Sequence, residues 1–220
     1  MDEWSEDHTW SAIHAERDRL ASDLERLDDG QWSSPSECAD WTVEDVVAHL
    51  TAAASTNRWR WLRSVVGARF RFDLHNARRL AEHRGPDPAA TLAAFEDACR
   101  VRVQPSRPTW AWLGEVIVHG ADIRVPLGID SLPDQEAVDY LAGRFATQSF
   151  TVPSKKIATG LTLISTDGSF RHGSGPQVTG RSIDLVRAMA GRPAATERLE
   201  GDGVPILAQR LSDLAGTERA

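Results

Sequence analysis

Two cysteines, Cys38 and Cys99, are all that a chain of 220 residues offers. A disulfide scaffold needs more, and neither stands in a Cys-x-x-Cys pair, so both are expected as reduced, buried or half-buried structural thiols. Lysine is nearly absent: Lys155 and Lys156 are the only two, and arginine supplies the remaining positive charge, a bias typical of GC-rich genomes. There is no basic excess. A net charge of −7 speaks against a nucleic-acid partner, which would need a basic face, while leaving room for a local basic pocket. No run approaches the roughly 18 to 20 apolar residues of a membrane span. The N-terminus, MDEWSEDHTW, has neither the basic nor the apolar region of a signal peptide. The expectation is a cytoplasmic protein with no nucleic-acid or membrane partner. What is present is ordinary for a globular chain: 41% apolar and 26% charged residues, at a length that supports a core without covalent staples.

Apolar residues recur at spacings of three and four in several windows, the mark of amphipathic helices. Trp10, Ile13, Leu20, Leu24 and Leu27 give a first helix over Asp7 to Leu27, with the stem of Arg17 lying along the core. After a Ser/Pro/Gly loop, Thr42 can cap a second helix that carries Val46, Val47, His49 and Leu50 and extends to about Val66. Further helices are expected over Arg71 to His83, from Pro88 to before Pro105, from Trp110 (capped by Thr109) to about Arg124, and from Asp134 to about Phe150. Beyond Pro153 the texture changes. Gly160 to Thr166 reads as a strand, Asp167-Gly168 as a hairpin turn, Ser169 to His172 as the return strand and Gln177 to Thr179 as a short third strand. Helices from Ser182 to Ala190 and from Val204 to Ala215 complete the chain. The fold class is α+β, with a helical bundle over 1–153 and a small α+β domain over 154–220.

One helix carries Glu115-x-x-x-His119. Side chains four apart face the same way, with β-carbons about 6 Å apart, so a carboxylate and an imidazole can grip one metal ion. Asp122 continues the polar stripe. His49, on the stripe Val46, His49, Leu50, Ala53 of another helix, faces the bundle interior, where an unsatisfied imidazole costs a few kcal/mol. A metal shared with Glu115 and His119 would satisfy it. Two histidines and one glutamate with a fourth position open form a catalytic rather than a structural zinc set. Spacing alone leaves the plainer readings standing: an exposed Glu/His pair, and a core histidine with a hydrogen-bond partner.

Beyond spacing, the segment Cys38-Ala39-Asp40-Trp41-Thr42-Val43-Glu44-Asp45-Val46-Val47-Ala48-His49-Leu50 resembles a signature of the mycothiol-dependent maleylpyruvate isomerase family. Gly114-Glu115-Val116-Ile117-Val118-His119-Gly120-Ala121-Asp122-Ile123-Arg124, followed by Leu127-Gly128, is similar to its second signature. Asp73-Leu74-His75-Asn76-Ala77-Arg78 looks like the middle of its N-terminal domain. Ala190-Gly191-Arg192-Pro193, with Gly201-Asp202-Gly203, looks like its small sterol-carrier-protein-like second domain. The resemblance implies a DinB-like up-down four-helix bundle with extra helices. It implies a divalent metal, zinc first, held by His49, Glu115 and His119. It also implies mycothiol, the low-molecular-weight thiol of actinobacteria, as cosubstrate. A C-terminal arginine serves activity in that family, and Arg192 is the candidate here, its plainer role being a cation at a helix C-terminus. Asp122 would hold a ligand imidazole from behind or pair with Arg124 or another surface arginine.

The expected activity is an isomerase or S-transferase in which an activated thiolate attacks a small, maleylpyruvate-like electrophile. The rivals are a hydrolase using metal-bound hydroxide and a metal- or ligand-binding module without turnover. Monomer and homodimer are both compatible with the sequence.

Overall fold

The structure, a computed structural model, describes residues 3–38, 40–55, 83–103, 108–149 and 152–218. The helix expected over Arg71 to His83, the extension of the second helix towards Val66, and the Asp73–Arg78 motif lie, His83 apart, outside them. The described residues fall into two compact units, Trp4–Leu132 and Pro133–Ala220, the latter joined by Met1–Glu3.

The first unit begins with α1 (Glu6–Leu24), whose cap is Ser5 accepting from the His8 N–H. Arg17 lies 5% exposed along the core, its guanidinium donating to the Val101 carbonyl at 3.2 Å. A single turn that the sequence reading missed, α2 (Asp29–Trp32), is closed by a capping box between Asp28 and Gln31. α3 (Val43–Ser55) starts where Thr42 predicts. The Thr42 hydroxyl accepts from the Asp45 N–H (3.2 Å), and Asp45 accepts from the Thr42 N–H (3.0 Å). α4 (Pro88–Cys99) has Asp87 as its cap and Pro at its start, where a missing N–H costs nothing. α5 (Trp110–Leu127) follows Thr109, whose side chain makes no cap bond. The helix runs through Pro126 and stops at Gly128, which takes the left-handed conformation.

α1 packs on α4 and α5, and α3 packs on the same two, so four helices enclose one core. Leu20, Leu24, Val43, Val46, Val47, Leu50, Phe95 and Ile123 meet there, nearly all inaccessible to water. Replacing one such Leu by Ala costs about 2–5 kcal/mol. A buried ion pair ties α1 to α5: Arg124 Nε donates to Asp23 at 2.7 Å, and Asp23 also accepts from Arg26 at 2.6 Å.

The second unit holds α6 (Gln135–Thr147), α7 (Ser154–Ala158), β1 (Thr162–Ser165), β2 (Arg171–Gly173), β3 (Gln177–Gly180), α8 (Ser182–Met189), a 3-10 helix (Pro193–Arg198) and α9 (Val204–Glu218). The sheet order is β2-β1-β3. β1 runs antiparallel to β2, with Leu163 opposite His172, and parallel to β3, with Leu163 opposite Val178. The α+β class read from the sequence is the observed one.

The division falls at Leu132/Pro133, where the sequence reading drew it after 153. The reason is α6. Its buried face packs on α8, and its Gln135 and Asp139 bond the Ser182 side chain. Strand propensity marks where the sheet begins but not which helix covers it. The return strand also starts at Arg171, two residues later than expected, because Asp139 takes both the N–H and the hydroxyl of Ser169. Among the described residues no helix is long and apolar enough to cross a membrane.

Candidate metal centre

The cap at Thr42 fixes the phase of α3 and places His49 seven residues on, about two turns, on the side facing α5. On α5, Glu115, His119 and Asp122 share one stripe, as a 3.6-residue repeat requires. The sequence-predicted residues of the first unit therefore meet. His49 Nε2 lies 3.2 Å from Glu115 Oε2, and His119 Nε2 lies 3.3 Å from the same oxygen. The two imidazoles stand edge to face with centroids 4.9 Å apart. Each of the three residues offers one ligand atom, all within 4.8 Å of one another, a spacing one cation can fill. Their side chains keep 13–22% of their surface, so the group is neither sealed in the core nor spread on the surface.

Behind His119 sits Asp122, with no exposed surface, its Oδ2 2.9 Å from Nδ1. A carboxylate only accepts, so Nδ1 carries a proton and Nε2 is the nitrogen turned towards Glu115. Burial opposes a charge on His119, but hydrogen bonds with Asp122, Cys38 and Glu115 outweigh it and hold the pKa well above that of free imidazole. Burial likewise pushes the Glu115 carboxyl up. The hydrogen bonds from His119 and His49, and their charge, reverse this and hold it well below the usual carboxylate range. An ionised carboxylate between two imidazoles is a cation-seeking arrangement, and a divalent ion would replace the protons the rings now share with it. Arg124 is directed to Asp23.

The loop before α3 forms one side of the group. Ser36 N–H donates to the Trp41 carbonyl (2.9 Å), Trp41 N–H to the Cys38 carbonyl (3.1 Å), and Glu37 N–H to the Asp122 carbonyl (3.0 Å). Asp40 turns the chain at φ 65°, a region where Asp is among the few tolerated side chains. The result sets the Trp41 ring 5.1 Å from His49 and 6.5 Å from His119, centroid to centroid. Cys38 Sγ comes to 3.1 Å from Asp122 Oδ2 and 3.4 Å from His119 Nδ1. The sequence reading took Cys38 for a structural thiol and did not single out Trp41. Their place in the first signature, beside the residue that caps the His49 helix, was the signal available.

Arg192 belongs to the second unit. It precedes the 3-10 helix, and its Nη1 donates to the Ala190 carbonyl at 2.9 Å. The guanidinium thus lies at the C-terminal end of α8.

Residues 13–107 match the sequence profile of the mycothiol maleylpyruvate isomerase N-terminal domain, a stretch that contains Cys38, Trp41 and His49 and ends before α5. No curated protein sequence matches the chain. The crystal structure of the mycothiol-dependent maleylpyruvate isomerase superposes with a TM-score of 0.64 at 17% identity, over 90% of this chain and 93% of that one. A histidine-to-alanine mutant of that enzyme gives 0.62 at 16% identity, with the same coverage. At such identity the likeness is one of fold, and it extends over both units.

Proposed function

We propose that this chain, which carries the mycothiol maleylpyruvate isomerase N-terminal domain over residues 13–107 and that enzyme's fold over nearly its whole length, is a metal-dependent enzyme that uses mycothiol as cosubstrate. The observation that carries the reading is the convergence of His49 Nε2, Glu115 Oε2 and His119 Nε2 within 4.8 Å in a partly open group. The residues fit a divalent ion, zinc first. One anionic oxygen and two imidazole nitrogens suit its coordination, and a three-residue set leaves a position for an exogenous ligand. Such an ion supplies Lewis acidity that favours the ionised form of a thiol at neutral pH.

The chain's own residues then have definite tasks. Glu115 supplies the negative charge that draws the cation in. Asp122 holds the Nδ1 proton of His119 and so keeps Nε2 free to ligate. Trp41 shields the imidazoles on one side and limits water there. The substrate class is a small electrophile with a conjugated cis double bond. Thiolate addition to one carbon leaves a carbanion delocalised into the adjoining carbonyl. The former double bond then rotates as a single bond, and elimination returns the thiolate and the trans product. In an S-transferase the sulfur would stay on the product. Arg192 is offered as a guanidinium for a substrate carboxylate. A cytoplasmic location belongs to the same reading.

The test is turnover of maleylpyruvate by zinc-loaded protein with and without mycothiol. Turnover that requires both metal and thiol supports the proposal. Turnover with metal alone would replace it with hydrolysis, and none in either case would leave a binding module.

A further inference from the structure

We propose that Cys38 is a positioning residue for this centre: its thiol holds the Asp122 carboxylate in the rotamer that orients His119. The inference rests on the reading of His119 as a metal ligand, and it assigns a role to a residue that neither spacing nor fold likeness assigns. Three contacts carry it. Cys38 Sγ donates to Asp122 Oδ2 at 3.1 Å, the same oxygen that accepts from His119 Nδ1 at 2.9 Å. Sγ itself stands 3.4 Å from that Nδ1, closing a three-membered cluster. The residue beside it, Glu37, donates its N–H to the Asp122 carbonyl at 3.0 Å, so the loop grips Asp122 by both backbone and side chain.

Asp122 has no exposed surface, so no bulk water competes for its oxygens. In that setting the thiol restricts rotation of the carboxylate, and the carboxylate restricts the imidazole. Residues that orient a ligating histidine from behind change metal affinity by about 10- to 100-fold when removed. The thiol sits on the Nδ1 side of the ring, whereas the ligand atoms His49 Nε2, Glu115 Oε2 and His119 Nε2 converge on the other. Cys38, His119 and Asp122 also bring ligand atoms within 4.8 Å of one another, but there the ring nitrogen is the Nδ1 already bonded to the Asp122 carboxylate, so the proposal has Cys38 act through Asp122 and not as a ligand.

The experiment compares the full-length protein with Cys38→Ala, Cys38→Ser, Asp122→Asn and the Cys38→Ala/Asp122→Asn double variant. Zn²⁺ affinity is measured by chelator competition, and near-ultraviolet absorption is recorded with Co²⁺ bound. Cys38→Ala is expected to weaken Zn²⁺ binding about 10-fold. Cys38→Ser, whose hydroxyl can donate to the same oxygen, should stay near wild type, and the double variant should be no weaker than Asp122→Asn alone. The Co²⁺ spectrum of the wild type should lack thiolate-to-metal charge-transfer intensity. Unchanged affinity in Cys38→Ala, failure of Ser to restore it, or a charge-transfer band that vanishes in Cys38→Ser would each overturn the proposal. If the wild type binds neither ion, the metal reading itself fails. Cys38 is then judged in the metal-free protein by the ring ¹⁵N resonances of His119. Displacement in Cys38→Ala and return in Cys38→Ser support the positioning role, and resonances unmoved in Cys38→Ala refute it.

Discussion

Asp139 in the second unit and Glu115 in the first are both carboxylates ringed by polar partners, and they are built to opposite ends. Asp139 accepts from the Ser169 N–H at 2.6 Å and its hydroxyl at 2.9 Å, from Gln135 at 3.0 Å, and from the Ser182 hydroxyl. Every partner is a neutral donor, one on α6 itself, one on α8 and two from Ser169 in the β1–β2 connection, and Asp139 is 8% exposed. A β-carbon on Gly168 would run into this carboxylate, which explains the glycine at the turn. The cluster is saturated and fastens the β1–β2 connection to α6. Around Glu115 the partners are two imidazoles, groups that exchange protons and ligate metals, and the cluster keeps a fifth of its surface. Saturation by fixed donors makes a joint. Convergence of exchangeable ligands with an open side makes a site.

The contrast is broken most severely at the site. His119→Ala should lower thiol-dependent turnover by about 10³-fold or more, since Lewis-acid stabilisation is worth several kcal/mol and each 1.4 kcal/mol is tenfold. Its zinc stoichiometry should fall close to zero at the same time. The joint should respond the other way. Asp139→Ala leaves several buried donors unsatisfied and should cost about 3 kcal/mol by urea denaturation, with zinc stoichiometry unchanged. If the losses were exchanged, stability at His119 and metal at Asp139, the distinction would collapse.

The sequence made much of this legible, for identifiable reasons. Thr42, Asp87, Asp134 and Ser5 cap helices by local side-chain bonds, so helix starts are written in four-residue windows. The α5 stripe of Glu115, His119 and Asp122 follows from helical period alone. The approach of His49 to it depends on how α3 packs against α5, which no local window contains. The contacts divide the chain at Leu132/Pro133, ahead of the boundary expected after 153, for the same reason: Asp139 reaches its serines across 30 and 43 residues of sequence. Cys38 was read as inert because a lone cysteine carries no periodic signal.

A smaller effect sharpens a second contrast, between the two thiols. Burial pushes Cys99 up from 9.0 to about 12. Its raised folded pKa means the unfolded chain loses that proton first. The stabilisation is thus present below about pH 9 and lost between pH 9 and about 12. Urea denaturation of wild type and Cys99→Ala across that window should show a steeper decline for the wild type, and parallel curves would refute it. The smallest effect concerns the loop. Asp40→Gly relieves a left-handed residue at φ 65° but frees the unfolded chain, so stability should move by less than about 1 kcal/mol.

The central claim is that His49, Glu115 and His119 share one divalent ion, and metal analysis of purified protein tests it most directly. The account predicts about one equivalent of zinc in the wild type and in Asp139→Ala, and a near-complete loss in His49→Ala and His119→Ala. Full metal content in both histidine variants would contradict it.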